Sequence, residues 1–319
     1  ISTALGNLTV NSYTPDFSKS ACDDSTCESH EKGIFMTQDD DGTSYYYRGS
    51  VENNYVNFAG YYWRIIRING NGSIRMIYDG TVAHDNGEAS EDRVYGTTQF
   101  NQTYTDNMYV GYMYTSGNAH GLGTSSTIKN ANDNFYTSKL VSYASYIDTS
   151  SGFCGDRSAL NSQSGVGTGT VSTYNKGYLR VAASTPSLKC ENSSDYYTVS
   201  SGLTGNKSLS QPVGLMTADE VIFSGTSGGI FEGSYNYQKN AINAYHSAGQ
   251  FYWTMTPVGY YNPYGDPGLG AVVYGVNGFG NIDDHWSYNN LHLRPVINLK
   301  SILKFTGDGT RNNPYVPSL

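Results

Sequence analysis

The chain has 319 residues, enough for two average domains or one large one, and its formal net charge is −8. The 19 Lys plus Arg form no basic run, which argues against a nucleic-acid partner, and no apolar run approaches the roughly 20 residues that span a bilayer. Only 14 % of residues are charged and 37 are glycine, a profile that fits a turn-rich, β-rich extracellular protein better than a cytosolic helical one.

Residues 1–32 are polar and lack a long periodic pattern, so they read as a lead-in or linker. Leu5, Leu8 and Val10 suit one short strand or a turn of helix. The chain begins at Ile1 without Met, and an export signal or anchor is expected outside these residues. From Gly33 the character changes, and residues 33–319 read as one domain. Thr43–Arg48, Tyr55–Ile68 and Ser73–Tyr78 are rich in aromatic and β-branched residues and predict strands of an antiparallel meander. Gly60 interrupts the second run, and Asn69-Gly70-Asn71-Gly72 is a hairpin signal before the third. A helix is predicted between Ser126 and Ile147, with Ile128, Phe135, Leu140, Tyr143 and Ile147 on one face and Ser125 or Ser126 as cap. Residues 149–211 read as long Ser/Thr/Gly-rich excursions with a strand at Gly177–Ala182. In Thr217-Ala218-Asp219-Glu220 the spacing of Thr and Glu forms a capping box, so a short helix starts there. Strands return at Phe251–Met255, Ala271–Val276 and Leu293–Leu299, with Asn277-Gly278 turning the second into a further strand. Trp63, Trp253 and Pro295 are expected as buried scaffold.

The four cysteines are Cys22, Cys27, Cys154 and Cys190. Local spacing favours Cys22 with Cys27 and Cys154 with Cys190, in an oxidising compartment. A zinc site is the competing reading, but the two-residue spacing of metal knuckles is missing. No His sits in a motif that would support a catalytic thiol.

Thirty tyrosines stand out, and Tyr, Ser, Gly and Asn crowd the stretch 251–293, which has no Lys, Arg, Glu or Gln. Those four types give recognition loops contact area and adaptable hydrogen bonding at low entropic cost. The candidate ligand-contact residues are Tyr260, Tyr261, Asn262, Tyr264, Asp266, Tyr274, Asn281, Asp283, Asp284, His285, Trp286, Tyr288, Asn289 and His292. Tyr260, Tyr261, Tyr264, Asp266, Tyr274, Asp283, His285, Tyr288 and Asn289 are expected to be exposed together on one face, because so many hydroxyls buried together would each need a partner. A wet, turn-rich β region accounts for the same composition.

Other constellations carry less. His30, His84, His120, His246, His285 and His292 sit in no triad motif, so no enzymatic activity is expected. Asp283-Asp284-His285 has metal-ligand chemistry but reads more simply as contact surface. Asp39-Asp40-Asp41-Gly42 has oxygen ligands enough for calcium but lacks the spacing and distal Glu of an EF-hand loop, and a turn before a strand explains it as well. No other cofactor is expected. Arg48, Arg64, Arg67 and Arg294 read as structural, paired with carboxylates or carbonyls.

Several blocks carry a resemblance. They are Asp40-Asp41-Gly42-Thr43-Ser44-Tyr45-Tyr46-Tyr47-Arg48-Gly49, Phe58-Ala59-Gly60-Tyr61-Tyr62-Trp63-Arg64-Ile65-Ile66-Arg67-Ile68-Asn69-Gly70, Phe153-Cys154-Gly155-Asp156-Arg157, Gly214-Leu215-Met216-Thr217-Ala218-Asp219-Glu220, Tyr252-Trp253-Thr254-Met255-Thr256-Pro257 and Leu293-Arg294-Pro295-Val296-Ile297-Asn298-Leu299-Lys300. Over about 33–317 the chain resembles a large group of surface proteins of low-GC Gram-positive and gut bacteria. It is similar to the C-type-lectin fold of the formylglycine-generating-enzyme-like branch, which also houses variable proteins diversified by retroelements. The resemblance implies an α+β fold of antiparallel strands, two or more helices and long loops, with 251–293 as the variable-type region. It implies cell-surface display and binding of a protein ligand on another cell or host surface, without membrane contact by this segment. A glycan-binding adhesin is the alternative, with Trp286 and Tyr288 stacking on sugar rings and a carboxylate binding hydroxyls. The branch's oxidation of a substrate Cys uses a cysteine pair in the C-terminal part. This chain has no Cys after Cys190, so that activity is not carried over.

Retroelement diversification mutates adenines. From an Asn codon it reaches Tyr, His, Asp, Ser, Gly, Val, Ile and Leu but not Lys, Glu, Gln, Met or Trp. Residues 260–292 hold the reachable types and no Lys, Glu or Gln, and Trp286 would be fixed scaffold.

Overall fold

Gly33–Asp39 (β1) and Gly42–Arg48 (β2) form the first hairpin, and Tyr55–Phe58 (β3), Tyr61–Ile68 (β4) and Ile74–Gly80 (β5) continue the meander. These coordinates are a computed structural model, which describes residues 2–21, 29–160, 172–199, 204–229, 241–262 and 264–319. The turn between β3 and β4 places both Ala59 and Gly60 at positive φ, the backbone twist that matches flanking strands. At the β4–β5 turn Gly70 lies against the backbone of Asp41 and Gly42, where a Cβ would collide. β1 is a strand that the sequence pattern does not announce. Its apolar positions are Ile34, Phe35 and Met36, and Met36 is exposed.

Of the elements that follow, those of the two large sheets and the α-helices are, in order, Tyr95–Thr98 (β6), Thr127–Lys139 (α1), Thr173–Tyr174 (β7), Lys176–Ala182 (α2), Ala218–Ser224 (α3), Tyr252–Tyr261 (β8), Gly270–Val276 (β9), Ile282–Trp286 (β10), Leu291–Leu293 (β11) and Val296–Leu299 (β12). The result is an α+β fold, mostly antiparallel, with three α-helices among the described residues. One six-stranded sheet runs β12-β5-β4-β2-β1, with β3 also on β4. The other runs β10-β9-β8-β11-β6, with β7 also on β8. In the second sheet β8 and β11 are parallel. Among the described residues no helix is long and apolar enough to cross a membrane.

One apolar cluster joins the N-terminal meander to the C-terminal strands: Trp63, Ile65, Met76 and Ile77 pack in it with Trp253, Val273, Val296 and Leu299. Trp63, Trp253 and Pro295 are buried, as the sequence suggests. The early residues also touch this body, through the bridge of Val10 to Ile34 and the edge-on contact of Phe17 with Phe223.

The helices correct two expectations. The helix expected over 126–147 ends at Lys139 and gives way to a tight turn at Val141–Tyr143. Ser126 caps its start by accepting from the Lys129 amide, and Ile128, Phe135, Leu140 and Ile147 are buried, but Tyr143 is exposed. The stretch expected as a strand at Gly177–Ala182 is the helix α2. Its Gly177 and Val181, one turn apart, face inward, and a Cβ at Gly177 would meet Thr256. The capping box forms at α3: Thr217 Oγ1 accepts from the Glu220 amide at 3.1 Å, and Glu220 Oε2 accepts from the Thr217 amide at 2.9 Å. Cys154 and Cys190 are joined by a disulfide. Cys22 and Cys27 lie outside the described residues.

Buried guanidiniums tie these parts together. Arg48 pairs with Glu31 at 2.6 Å, Arg67 with Asp39 at 2.6 Å and Glu220 at 3.0 Å, and Arg75 with Glu220 at 2.6 Å. Asp79 serves three: Arg93 at 2.9 Å, Arg294 at 2.6 Å and Arg64 at 3.9 Å, all fully buried. The structural reading of Arg48, Arg64, Arg67 and Arg294 therefore holds. Removing one partner of a buried pair strands the other's charge at a cost of about 3–5 kcal/mol. Asp79→Ala is thus expected to lower unfolding free energy by at least that amount in urea denaturation, with Asp79→Asn falling between it and the parent.

Candidate ligand-contact site

The ten-residue strand β8 sets the geometry of the candidate region. Its antiparallel register with β9 pairs Tyr252 with Val276 at one end and Tyr261 with Gly270 at the other. β10 follows on the sheet margin, pairing Ile282 with Val276 and Trp286 with Val272. Two connections therefore lie at opposite ends of the same strands: the loop segment 264–269 and the turn 277–281.

The loop is held by side chains at its base. Asn262 Oδ1 accepts from the Asp266 amide at 2.8 Å, and its Nδ2 donates to the Asp266 carbonyl at 3.0 Å. Tyr104 Oη donates to the Pro267 carbonyl and Tyr288 Oη to the Gly268 carbonyl, each at 3.0 Å, and the two rings pack at 4.5 Å between centroids. On this base Tyr264 stands 87 % exposed and Tyr261 39 % exposed, with Asp266 exposed beside them.

Four of the expected contact residues are instead buried. Tyr260 and Tyr274 are 2 % and 3 % exposed, because both lie in inner strands covered on their faces. Asn262 is buried as the clamp just described. Asn281 is buried because its Oδ1 accepts from Thr226 Oγ1 at 3.4 Å and the Ala241 amide at 3.2 Å. Nor do the others gather on one face. Tyr261, Tyr264, Asp266, Tyr288 and Asn289 belong to the loop end, whereas β10 runs away from it, with Trp286 opposite Val272 nearest the loop and Asp283 opposite Gly275 nearest the other turn. Asp284 is exposed. Asp283, His285, Trp286, Tyr288, Asn289 and His292 are half-buried, and His292 Nδ1 lies 2.9 Å from the Phe251 carbonyl oxygen. Trp286 also packs against the main apolar cluster.

The far end holds exposed rings that carry no hydroxyl. Phe279 is 55 % and Phe251 45 % exposed. His285 packs edge-on to Phe251 at 5.8 Å and to Trp253 at 6.0 Å. The signal was available at Gly278-Phe279-Gly280, where a large apolar residue sits inside a turn.

Other titratable clusters are integrated into the scaffold. Ser224 Oγ lies 2.7 Å from His246 Nδ1, and His246 Nε2 lies 2.8 Å from the Gly280 carbonyl, but both side chains are sealed from solvent. Burial holds the His246 pKa down at about 4. His120 Nδ1 lies 2.7 Å from Asp195, whose other oxygen takes Arg157. In the Asp39–Gly42 turn, Asp39 is engaged by Arg67 and the Gly70 amide, and Asp40 accepts from the Cys190 amide. Burial raises the pKa of both Asp40 and Asp41, and their acidic neighbours add to the shift. No group of three or more His, Cys, Asp or Glu among the described residues is placed to hold a metal ion.

No family model matches the chain, and no curated protein or solved structure matches it either.

Two measurements check these assignments. The Tyr274 hydroxyl is buried without a hydrogen-bond partner, and burial pushes its pKa well above the ordinary phenol value. Tyr274→Phe is therefore expected to leave the thermal midpoint unchanged or raise it, since removing an unsatisfied buried polar group relieves about 1–3 kcal/mol of desolvation. For His246 the folded pKa of about 4 lies below the ordinary 6.5, so the unfolded chain takes up the proton first. Its contribution to stability is whole above pH 6.5 and is lost as pH falls from 6.5 toward 4. Denaturant titrations in that window should show a steeper loss in the parent than in His246→Gln, by about 1.4 kcal/mol per pH unit.

Proposed function

We propose that the chain is a surface-displayed ligand-binding protein whose C-terminal loop and strand margin contact another protein. The observation that carries this reading is the loop segment 264–269 together with Asn262 and the strand end at Tyr261. It is pinned at its base by Asn262, Tyr104 and Tyr288, and it holds Tyr264 and Tyr261 out to solvent. A pinned loop loses little entropy on binding, and an exposed Tyr is a rigid anchor of the kind that dominates interface energetics. The scaffold we assign is C-type-lectin-like, of the formylglycine-generating-enzyme-like branch. Its support is the set of sequence blocks together with the α+β, mainly antiparallel architecture. Cell-surface display agrees with the Cys154–Cys190 disulfide, which an oxidising compartment allows.

Retroelement diversification belongs to the same proposal, with a smaller set of variable positions than the composition suggests. Tyr260, Asn262, Tyr274 and Asn281 are buried, so variation there would disturb the sheet or the loop clamp. The exposed positions are Tyr261, Tyr264, Asp266 and Asp284, and of these Asp266 also accepts from the Gly268 amide at 2.8 Å, so Tyr261, Tyr264 and Asp284 are the freest to change. A protein ligand is favoured over a glycan because the two rings suited to sugar stacking are already committed. Trp286 packs on the core, and Tyr288 packs on Tyr104 with its hydroxyl bound to Gly268.

A panel of extracellular proteins and a glycan array, the latter read with and without chelator, tests the reading. Protein hits are expected. Tyr261→Ala and Tyr264→Ala should each cost about 1–4 kcal/mol of affinity, with the thermal midpoint nearly unchanged. Hits on glycans alone, or protein hits indifferent to both substitutions, would sink it. In the neighbouring DNA, a reverse transcriptase gene and a near-copy of the coding region for 251–293 differing at adenines are expected. Absence of both would remove the diversified part of the proposal.

A further inference from the structure

Most cations of this acidic chain face a carboxylate of their own. Every arginine is ion-paired, and so are Lys19, Lys32, Lys129 and Lys176. Among the described residues, the lysines without such a partner are Lys139, Lys189, Lys207, Lys300 and Lys304. Lys139, Lys300 and Lys304 border one patch at the margin of the first sheet.

That patch is built from two neighbouring turns and a hairpin. The turn Val141–Tyr143 follows directly on Lys139 and leaves Val141 55 % and Tyr143 38 % exposed. The Lys300 amide donates to the Tyr146 carbonyl at 2.9 Å, and Ile147 bridges to Leu299, so this turn lies beside the end of β12. Two residues past Lys300 the chain turns again and holds Ile302 out at 77 % exposed. Lys304 then opens the hairpin of Lys304–Thr306 and Val316–Ser318, and the exposed Val316, opposite Thr306, shares its outward face. Phe58 supports the patch from beneath. Its ring packs on Tyr143 at 5.4 Å and on Tyr146 at 5.7 Å, in the same cluster as Leu303. The carboxylates nearest along the chain are engaged elsewhere. Asp133 takes Lys129 at 2.6 Å, Asp148 accepts from the Ser150 and Ser151 amides, and Asp308 binds Thr310 in the turn at the far end of the hairpin.

Single aliphatic residues at the tips of convex turns give a protein partner no pocket to fill, and Lys is depleted in protein interfaces, where aromatic anchors and Arg prevail. The same arrangement suits an anionic bilayer. Aliphatic tips enter the boundary between headgroups and acyl chains, and a tyrosine ring rests at headgroup level. Lysines lay their stems along the apolar surface and place their ammonium groups among the phosphates. The net charge of −8 does not forbid the approach, because at physiological salt charges more than about 8 Å from the lipid are largely screened.

We propose that the face formed by Val141, Tyr143 and Ile302 with Lys139, Lys300 and Lys304 rests on the surface of an anionic phospholipid bilayer. This departs from the expectation that the segment makes no membrane contact. It is also independent of the protein contact assigned to Tyr261 and Tyr264, which lie on the second sheet.

The test floats the whole chain with vesicles of phosphatidylcholine, alone or mixed with an equal part of phosphatidylglycerol. Binding to the mixed vesicles is expected, weakening as salt is raised, and at least about tenfold weaker on phosphatidylcholine alone. Lys300→Gln and Lys304→Gln should each weaken it about fivefold, the factor one lysine contributes near such a surface. Ile302→Ser should weaken it about tenfold, and Ile302→Trp should strengthen it with a blue shift of the new emission on mixed vesicles. Lys207→Gln, at an unpaired lysine elsewhere, and Tyr264→Ala should change nothing. No flotation with mixed vesicles, equal flotation with both kinds, or flotation indifferent to Ile302→Ser and Lys304→Gln would overturn the proposal. Protein-panel binding that depends on Ile302 without any flotation would also overturn it, assigning the face to a protein. Because Tyr264→Ala should abolish panel binding and spare flotation, failure of the one reading is distinguishable from failure of the other.

Discussion

Asp79 is one carboxylate facing three guanidiniums in a space without solvent, and the fold is arranged around that imbalance. Its partners come from three places: Arg64 on β4, Arg93 before β6, and Arg294 in the short link between β11 and β12. A single acid cannot balance three cations, so the remaining N–H groups are spread over neutral acceptors. Arg64 donates to Asn54 and the Val51 carbonyl and lies over the Tyr55 ring at 3.8 Å. Arg93 donates to the Glu88 and Tyr245 carbonyls, and Arg294 to those of Tyr78 and His246. Ion pairs of this kind add little net stability over a well-packed apolar replacement, but they are costly to break. Their effect here is positional. Arg294 fixes the link where the chain leaves the second sheet for the first, and both sheets meet at one charge.

That fixed frame explains where exposure is permitted. In β8 and β9 nearly every side chain is covered, so large residues reach solvent only where the strands end. Glycine and asparagine build those endings: the side chains of Tyr104 and Tyr288 brace one, and at the other the backbone of Gly278 lies close to that of Gly249. The candidate surface is therefore two separate patches joined by the margin strand β10. Its polar aromatics and its bare phenylalanines stand at opposite ends. A partner that touched both would have to lie along the strand direction.

Much of the frame was legible. Asn-Gly pairs mark real turns, the Thr217 and Glu220 spacing makes a real cap, and the arginines that read as structural sit in buried ion pairs. These signals are local, requiring only a few neighbouring residues to agree. The tyrosines were harder. Tyr260 and Tyr274 carry the same side chain as Tyr261 and Tyr264, and only the strand register and the covering layers distinguish them. Tyr274 also breaks the premise used to expect exposure, since its hydroxyl is buried with no partner. The seven-residue helix α2 is too short for its period to stand clear of a strand's alternation. Phe251 and Phe279 carry no hydroxyl, so a composition rich in Tyr, Ser and Asn does not single them out.

The first sheet carries a further consequence, in the order of synthesis. β5 is flanked by β4, its immediate predecessor, and by β12, whose Val296 pairs with Ile77. The meander can form as soon as it leaves the ribosome, but its last strand arrives more than two hundred residues later. Until then β5 presents an unpaired margin of buried-type residues, Ile74, Met76 and Ile77 among them. Contacts this distant along the chain make folding slow and leave the half-made sheet open to wrong pairing. Any C-terminal truncation that removes 296–299, however well it spares the N-terminal meander, leaves a template for self-association.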